Sequence, residues 1–100
     1  MEHHELVFDP GTTLPAAADV LAAHVGSEAV VLSQQSGVYY GLNEVAARVW
    51  QLAEAGRTLQ QIRATLLAEF DVEEARLSTD LNDLVATLVR LQLVIPGQQD

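Results

Sequence analysis

The hydrophobic repeat of this chain changes once, at Asn43, and little else can be rearranged around that change. Before it, "VLAAHV", "AVVLS" and "VYYGL" are β-prone runs of about five residues, separated by the Gly- and Ser-containing breaks "GSE" and "QQSG". Connectors this short favour antiparallel neighbours, so the runs from Val20 to Leu42 read as a three-stranded meander. After Asn43 the apolar residues recur at helical spacing as far as Leu91.

Asn43 stands where a helix N-cap belongs, with Glu44 near the positive end of the helix dipole. Val45, Ala46, Val49, Trp50 and Ala53 share one face of that helix, and Gly56 ends it. Thr58 opens a second helix with a capping box completed by Gln61, and its stripe is Leu59, Ile62, Leu66, Leu67 and Phe70. Asp71 with Glu74 reads as a further capping box before the longest helix, whose stripe Leu77, Leu81, Leu84, Leu88 and Leu91 is spaced 4, 3, 4, 3. Pro96 stops it. The fold class is therefore α+β, with the order β-β-β-α-α-α. Residues 1–18, which contain two prolines and a glycine, read as an irregular arm with a short strand at Leu6 to Phe8. Residues 19–95 form the domain, and residues 96–100 read as a mobile tail.

A chain of 100 residues supports one core. Its formal charge of −9 comes from 14 acidic against 5 basic residues, the isolated arginines Arg48, Arg57, Arg63, Arg76 and Arg90. Nucleic-acid binding draws on clustered cations that displace counterions, so this balance opposes DNA and RNA, and anionic membranes equally. No cysteine is present, which removes disulfides, thiolate metal sites and cysteine catalysis. No apolar run approaches a membrane span and no signal peptide is evident, so cytoplasmic residence is the expectation. "EHHE" at Glu2 to Glu5, with His24 elsewhere, lacks the rigid His spacing of a metal site. Ser27, Ser33, Ser36 and Ser78 have no base-and-carboxylate signature, Glu73 and Glu74 sit at a helix start, and no phosphate loop occurs. Neither an enzyme nor a cofactor is expected.

One stretch is left without a packing role. "SGVYYGLN", Ser36 to Asn43, sets two tyrosines and a glycine against the start of the first helix. Alternation puts Val38, Tyr40 and Leu42 on one face and Tyr39 and Gly41 on the other. If Leu42 points into the core, Tyr39 is the exposed aromatic. The octet reads either as a docking edge, with Gly41 giving room for a peptide or the third helix or permitting a bulge, or as a strand-to-helix corner with two core aromatics.

Taken in order, "G-x-Y-Y-G-L-N" at Gly37 to Asn43, "A-R-V-W-x-L" at Ala47 to Leu52, "G-R-T-L-x-x-I" at Gly56 to Ile62 and "D-L-x-x-L-V-x-x-L" at Asp80 to Leu88 resemble the PqqD-like family. These are the RiPP recognition elements, which bind leader peptides of ribosomally made precursors. The resemblance runs from about Val20 to Val94. It implies a winged-helix-like fold, a three-stranded antiparallel sheet followed by three helices. It also implies a leader peptide added as an antiparallel strand to the third strand, in a groove shared with the third helix. Similar free-standing proteins hand precursors to a leader peptidase in lasso-peptide biosynthesis, or to a radical enzyme in pyrroloquinoline quinone biosynthesis. The long N-terminal arm departs from the family pattern.

On that reading the peptide-binding residues are Val38, Tyr39, Tyr40 and Gly41 from the strand, with Arg76, Asp80, Asp83, Leu84 and Thr87 from the third helix. An apolar floor at Leu84 with acidic rims at Asp80 and Asp83 suits a peptide with an aromatic or proline anchor and a basic residue. The expected partners are a precursor leader and a leader peptidase or modifying enzyme of the same pathway, with no nucleic acid and no membrane. Two other classes share the topology: a winged-helix transcriptional regulator, and a structural module that dimerises through the leucine stripe.

Overall fold

The computed structural model describes residues 9–98. Eight elements follow one another: β1 (Thr12–Thr13), β2 (Val20–Val25), β3 (Glu28–Ser33), β4 (Val38–Leu42), α1 (Glu44–Glu54), α2 (Leu59–Glu69), α3 (Glu74–Arg90) and β5 (Gly97–Gln98). The sheet of β2, β3 and β4 is the antiparallel meander read from the sequence, in the order β2-β3-β4.

Turn chemistry sets its register. Gly26 and Ser27 join β2 to β3, and Gly26 alone takes a positive φ (61°), the two-residue pattern that glycine in the first position supplies without steric cost. Between β3 and β4 the four-residue turn ends on Gly37 at φ 74°, whose N–H donates to the Ser33 carbonyl at 2.7 Å. Val31 then pairs with Ala22 on one side and Tyr40 on the other, and these residues face the helices with His24, Ala29 and Leu42.

Caps start the helices where the sequence puts them in two cases of three. Asn43 Oδ1 accepts the Ala46 N–H at 2.9 Å, and Thr58 and Gln61 exchange both bonds of their capping box. The third case is a correction. Asp71 caps nothing: α3 begins at Glu74, with Glu73 at the N-cap and no side-chain cap bond. The chain leaves α2 at Phe70 in extended conformation, and half-burying Phe70 and Val72 against the core draws the linker on past Asp71. Arg63 instead secures the first turn of α3, pairing with Glu74 and donating from Nε to Ser78 Oγ at 2.8 Å.

Trp50, Ile62, Leu66, Leu81 and Val85 meet Val31 and Ala29 of the sheet in one core. Trp50 satisfies its indole N–H on Glu54 at 3.0 Å. The arm and tail also differ from the sequence reading. Thr12 and Thr13 pair with Gln98 and Gly97, Ala16 bridges Val94, and Leu14 is 1% exposed. Residues 9–18 thus lie across the helices, clasped to a C-terminal strand that the sequence left loose. Two-residue strands carry no period, which is why they left no signal. The strand read at Leu6 to Phe8 and the "EHHE" run lie outside the described residues.

Candidate functional site

The alternation of hydrogen bonds along β3 decides which way β4 faces. The Gln34 N–H donates to the Asp19 carbonyl at 3.0 Å, on the β2 side, while the Ser33 carbonyl accepts from Gly37 on the β4 side. Successive residues of a strand turn their N–H and C=O to opposite edges. With Ser33 paired to Val38, Val31 to Tyr40 and Ala29 to Leu42, these are the residues bonded across β3–β4. Tyr39 and Gly41 therefore point their backbone groups to the outer edge of β4, where no other strand pairs among the described residues.

Burial follows the expected alternation, with one difference. Leu42 is buried and Tyr40 half-buried against the core, while Tyr39 is 68% exposed. Val38, read as inward, is 42% exposed. It sits beside the Gln34–Gly37 turn, at the outer strand's first position.

Just past Leu42 lies a groove of about 320 Å³, lined by Asn43, Val45, Ala46, Phe70, Val72, Leu77, Asp80 and Leu84. Its walls are the first turn of α1, the α2–α3 linker and the outer flank of α3. Leu77 and Leu81 are buried in the core stripe, Leu77 also reaching the groove floor, and Leu84, only half-buried, is displaced from that stripe into the groove. Asp80 stands at the rim, 3.6 Å from Arg76, with both side chains largely solvated.

Of the helix residues read from the sequence, the structure brings Asp80 and Leu84 into this groove, with Arg76 reaching it only through Asp80. Asp83 is exposed and Thr87 half-buried, and neither lines it. The four strand residues lie along the open edge leading up to it. Sequence reasoning missed the groove role of Val45, Ala46, Phe70 and Leu77, which it assigned to core stripes, and passed over Val72. The signal available was "FDV" at Phe70 to Val72, apolar residues on both sides of a helix break.

Gly41 needs a correction too. It pairs in register with Val30, so no bulge forms, and a Cβ built on it would meet nothing within 4 Å. The approach of α3 therefore does not explain it.

A second depression, of about 220 Å³ near the β2–β3 turn, differs in character. It is lined by His24, Glu44, Arg48, Gln51 and Glu69 among others, and its arginine is already engaged. Arg48 donates to both Glu69 oxygens at 2.8 and 2.7 Å. These bonds hold the Glu69 carboxyl below the usual range against the opposing effect of desolvation. His24 lies 3.6 Å from Glu54. Among the described residues no group of three or more His, Asp or Glu is arranged to hold a metal ion, and no helix is long and apolar enough to cross a membrane.

A winged-helix-like α+β domain, with an unpaired strand edge running into an apolar groove, is the class this geometry defines. The chain belongs to the PqqD family: the model of coenzyme PQQ synthesis protein D matches residues 28–94. Two solved structures are similar over 86% of this chain and 99% of theirs. One is TbiB1 in complex with the TbiA(beta) leader peptide, at 32% identity and a TM-score of 0.78. The other is a lasso peptide synthetase B1 complexed with the leader peptide, at 26% identity and a TM-score of 0.73. No curated protein sequence matches. The chain is thus a RiPP recognition element, homologous to leader-peptide-binding proteins of lasso-peptide pathways.

Proposed function

We propose that this chain is a non-catalytic recognition protein that takes up the leader of a ribosomally made precursor as an antiparallel strand on β4 and delivers it to a leader peptidase or modifying enzyme, in a lasso-peptide type of pathway. The observation that carries this reading is the outward backbone of Tyr39 and Gly41 at an edge leading into the Leu84 groove. Main-chain bonds at such an edge give affinity, and pockets for side chains give specificity.

The guest's backbone pairs with Tyr39 and Gly41, flanked by Val38 and Tyr40. One of its apolar side chains enters between Val45, Phe70, Val72 and Leu84, beside Asp80. Arg76, Asp83 and Thr87 form the outer border of the path along α3. No step of this role requires a nucleophile, a metal or a cofactor.

A transcriptional regulator of the same topology is not favoured. Arg48, Arg63 and Arg76 are engaged with Glu69, Glu74 and Asp80, which leaves Arg57 and Arg90 to face phosphate against a formal charge of −9.

The direct test is a fluorescence-polarisation titration of a labelled synthetic leader, taken from a precursor gene sought in the neighbourhood of its own. Saturable binding that Tyr39→Pro abolishes in a folded protein is the expected result, because that change deletes an outward donor. Unchanged affinity in that variant rules out the β4 edge.

A further inference from the structure

We infer that Gly41 is a specificity-determining residue: it leaves room for an aromatic side chain on the guest residue paired opposite it, and so selects leaders that carry one there. This rests on the strand-addition reading above and adds the chemical class of one guest position.

Glycine within a strand is a cost, since it loses more conformational freedom on folding than any other residue and packs nothing. Three explanations internal to the fold are absent here. Gly41 does not have a positive φ, no bulge interrupts its pairing with Val30, and no neighbour lies within 4 Å of the space its Cβ would take. The gap faces outward, on the side of the sheet away from the helices.

The register shows what surrounds it. Ala23, Val30 and Gly41 form one row across the three strands, and Leu21, Leu32 and Tyr39 form the next. Val30 remains 38% exposed although it lies on the central strand, and Tyr39, 68% exposed, is on the same face two residues along from the gap. The N–H and C=O of Gly41 turn to the free edge, so a paired guest residue sits directly opposite and projects its side chain to this same face. A ring there can lie across the glycine, cover the exposed Val30 and meet Tyr39 edge-on, as aromatic residues do when paired with an edge glycine. A small guest residue leaves the apolar row in water. A β-branched residue at position 41 fills the gap from the receptor's side, so a ring opposite can no longer lie across that position to cover Val30 and gains no more than an ordinary cross-strand contact.

The test uses phage-displayed random twelve-residue peptides, selected in parallel on the wild type, Gly41→Ile and Tyr39→Pro. Thermal melts confirm that each variant is folded, and Gly41→Ala replaces Gly41→Ile if the latter is not. The inference expects peptides that need the wild-type edge, are lost on Tyr39→Pro, and share one recurrent aromatic position. That recurrence disappears on Gly41→Ile while other shared positions persist. In a synthetic peptide from the wild-type pool, changing that aromatic to Ala weakens binding about tenfold on the wild type and less than about twofold on Gly41→Ile. Edge-dependent peptides with no recurrent aromatic, or with the same loss on both proteins, overturn the role of Gly41 and leave strand addition standing. Enrichment that survives Tyr39→Pro, or no enrichment at all, overturns strand addition and this inference with it.

Discussion

Tyr39 and Tyr40 are adjacent in sequence and opposite in duty. Tyr40 packs against the core beneath the sheet, whereas Tyr39 lies in solvent on the other face. Tyr39→Ala is therefore expected to leave the melting temperature nearly unchanged and to weaken leader binding on the order of tenfold, the loss typical of an aromatic anchor at an interface. Titration and a thermal melt of the same preparation separate the two effects. Leu81→Ala is the converse. Leu81 is buried where α3 meets the rest of the core, and its truncation removes apolar contact and leaves a cavity. Urea unfolding should show a loss of about 2–5 kcal/mol. Leader affinity should be retained at temperatures where that variant is folded, because Leu81 does not line the groove.

At the scale of elements, β4 makes a prediction that no single side chain makes. Its N–H groups alternate between β3 and the open edge, so proline at two adjacent positions should have opposite consequences. Tyr39→Pro deletes an outward donor and is expected to fold and lose the leader. Tyr40→Pro deletes a bond to β3 and is expected to lower the melting temperature markedly. Far-UV circular dichroism with the leader titration distinguishes them, and the reverse pattern would invert the assigned edge. This alternation was partly legible in the sequence: "VYYGL" declares its two faces, and the turn residues declare the hairpin. The groove was less legible, because Val45, Ala46, Phe70 and Leu77 fit helical stripes equally well as core. Only the extended Phe70–Glu73 linker, which half-buries Val72 and moves the start of α3 beyond Asp71, opens the space they line. The tie between α1 and α2 is legible only in three dimensions, since Arg48 and Glu69 are 21 residues apart. Its sign is definite. The Glu69 carboxyl is held below its ordinary value by Arg48, so its contribution is present above the usual Glu range, about pH 4.3, and is lost as pH falls below it. Glu69→Gln should flatten that part of a stability profile measured by urea unfolding between pH 3 and 6, modestly, because both side chains are partly solvated.

For the whole molecule, the placement of the clasp relative to the site is what allows stability and binding to be separated. β1 and β5 join the two ends of the described chain, and Leu14, Leu93 and Val94 are buried beneath them. The arm also bridges Thr58 through Thr13, and a depression beside it is lined by Pro15 of the arm and by Ala53, Glu54 and Gly56 at and just past the C-terminal end of α1. The candidate groove uses Asn43, Val45 and Ala46 at the opposite end of the same helix. Strand addition at β4 asks nothing of the clasp, so the two should respond independently. Leu14→Ala is expected to cost about 2–5 kcal/mol in urea unfolding, a large share of the roughly 5–15 kcal/mol that holds a domain of this size together. In the same variant at 10 °C, the leader dissociation constant should stay within about twofold of wild type. A tenfold loss of affinity there would mean that the arm, which lies outside the residues 28–94 that the family model matches, takes part in holding the guest.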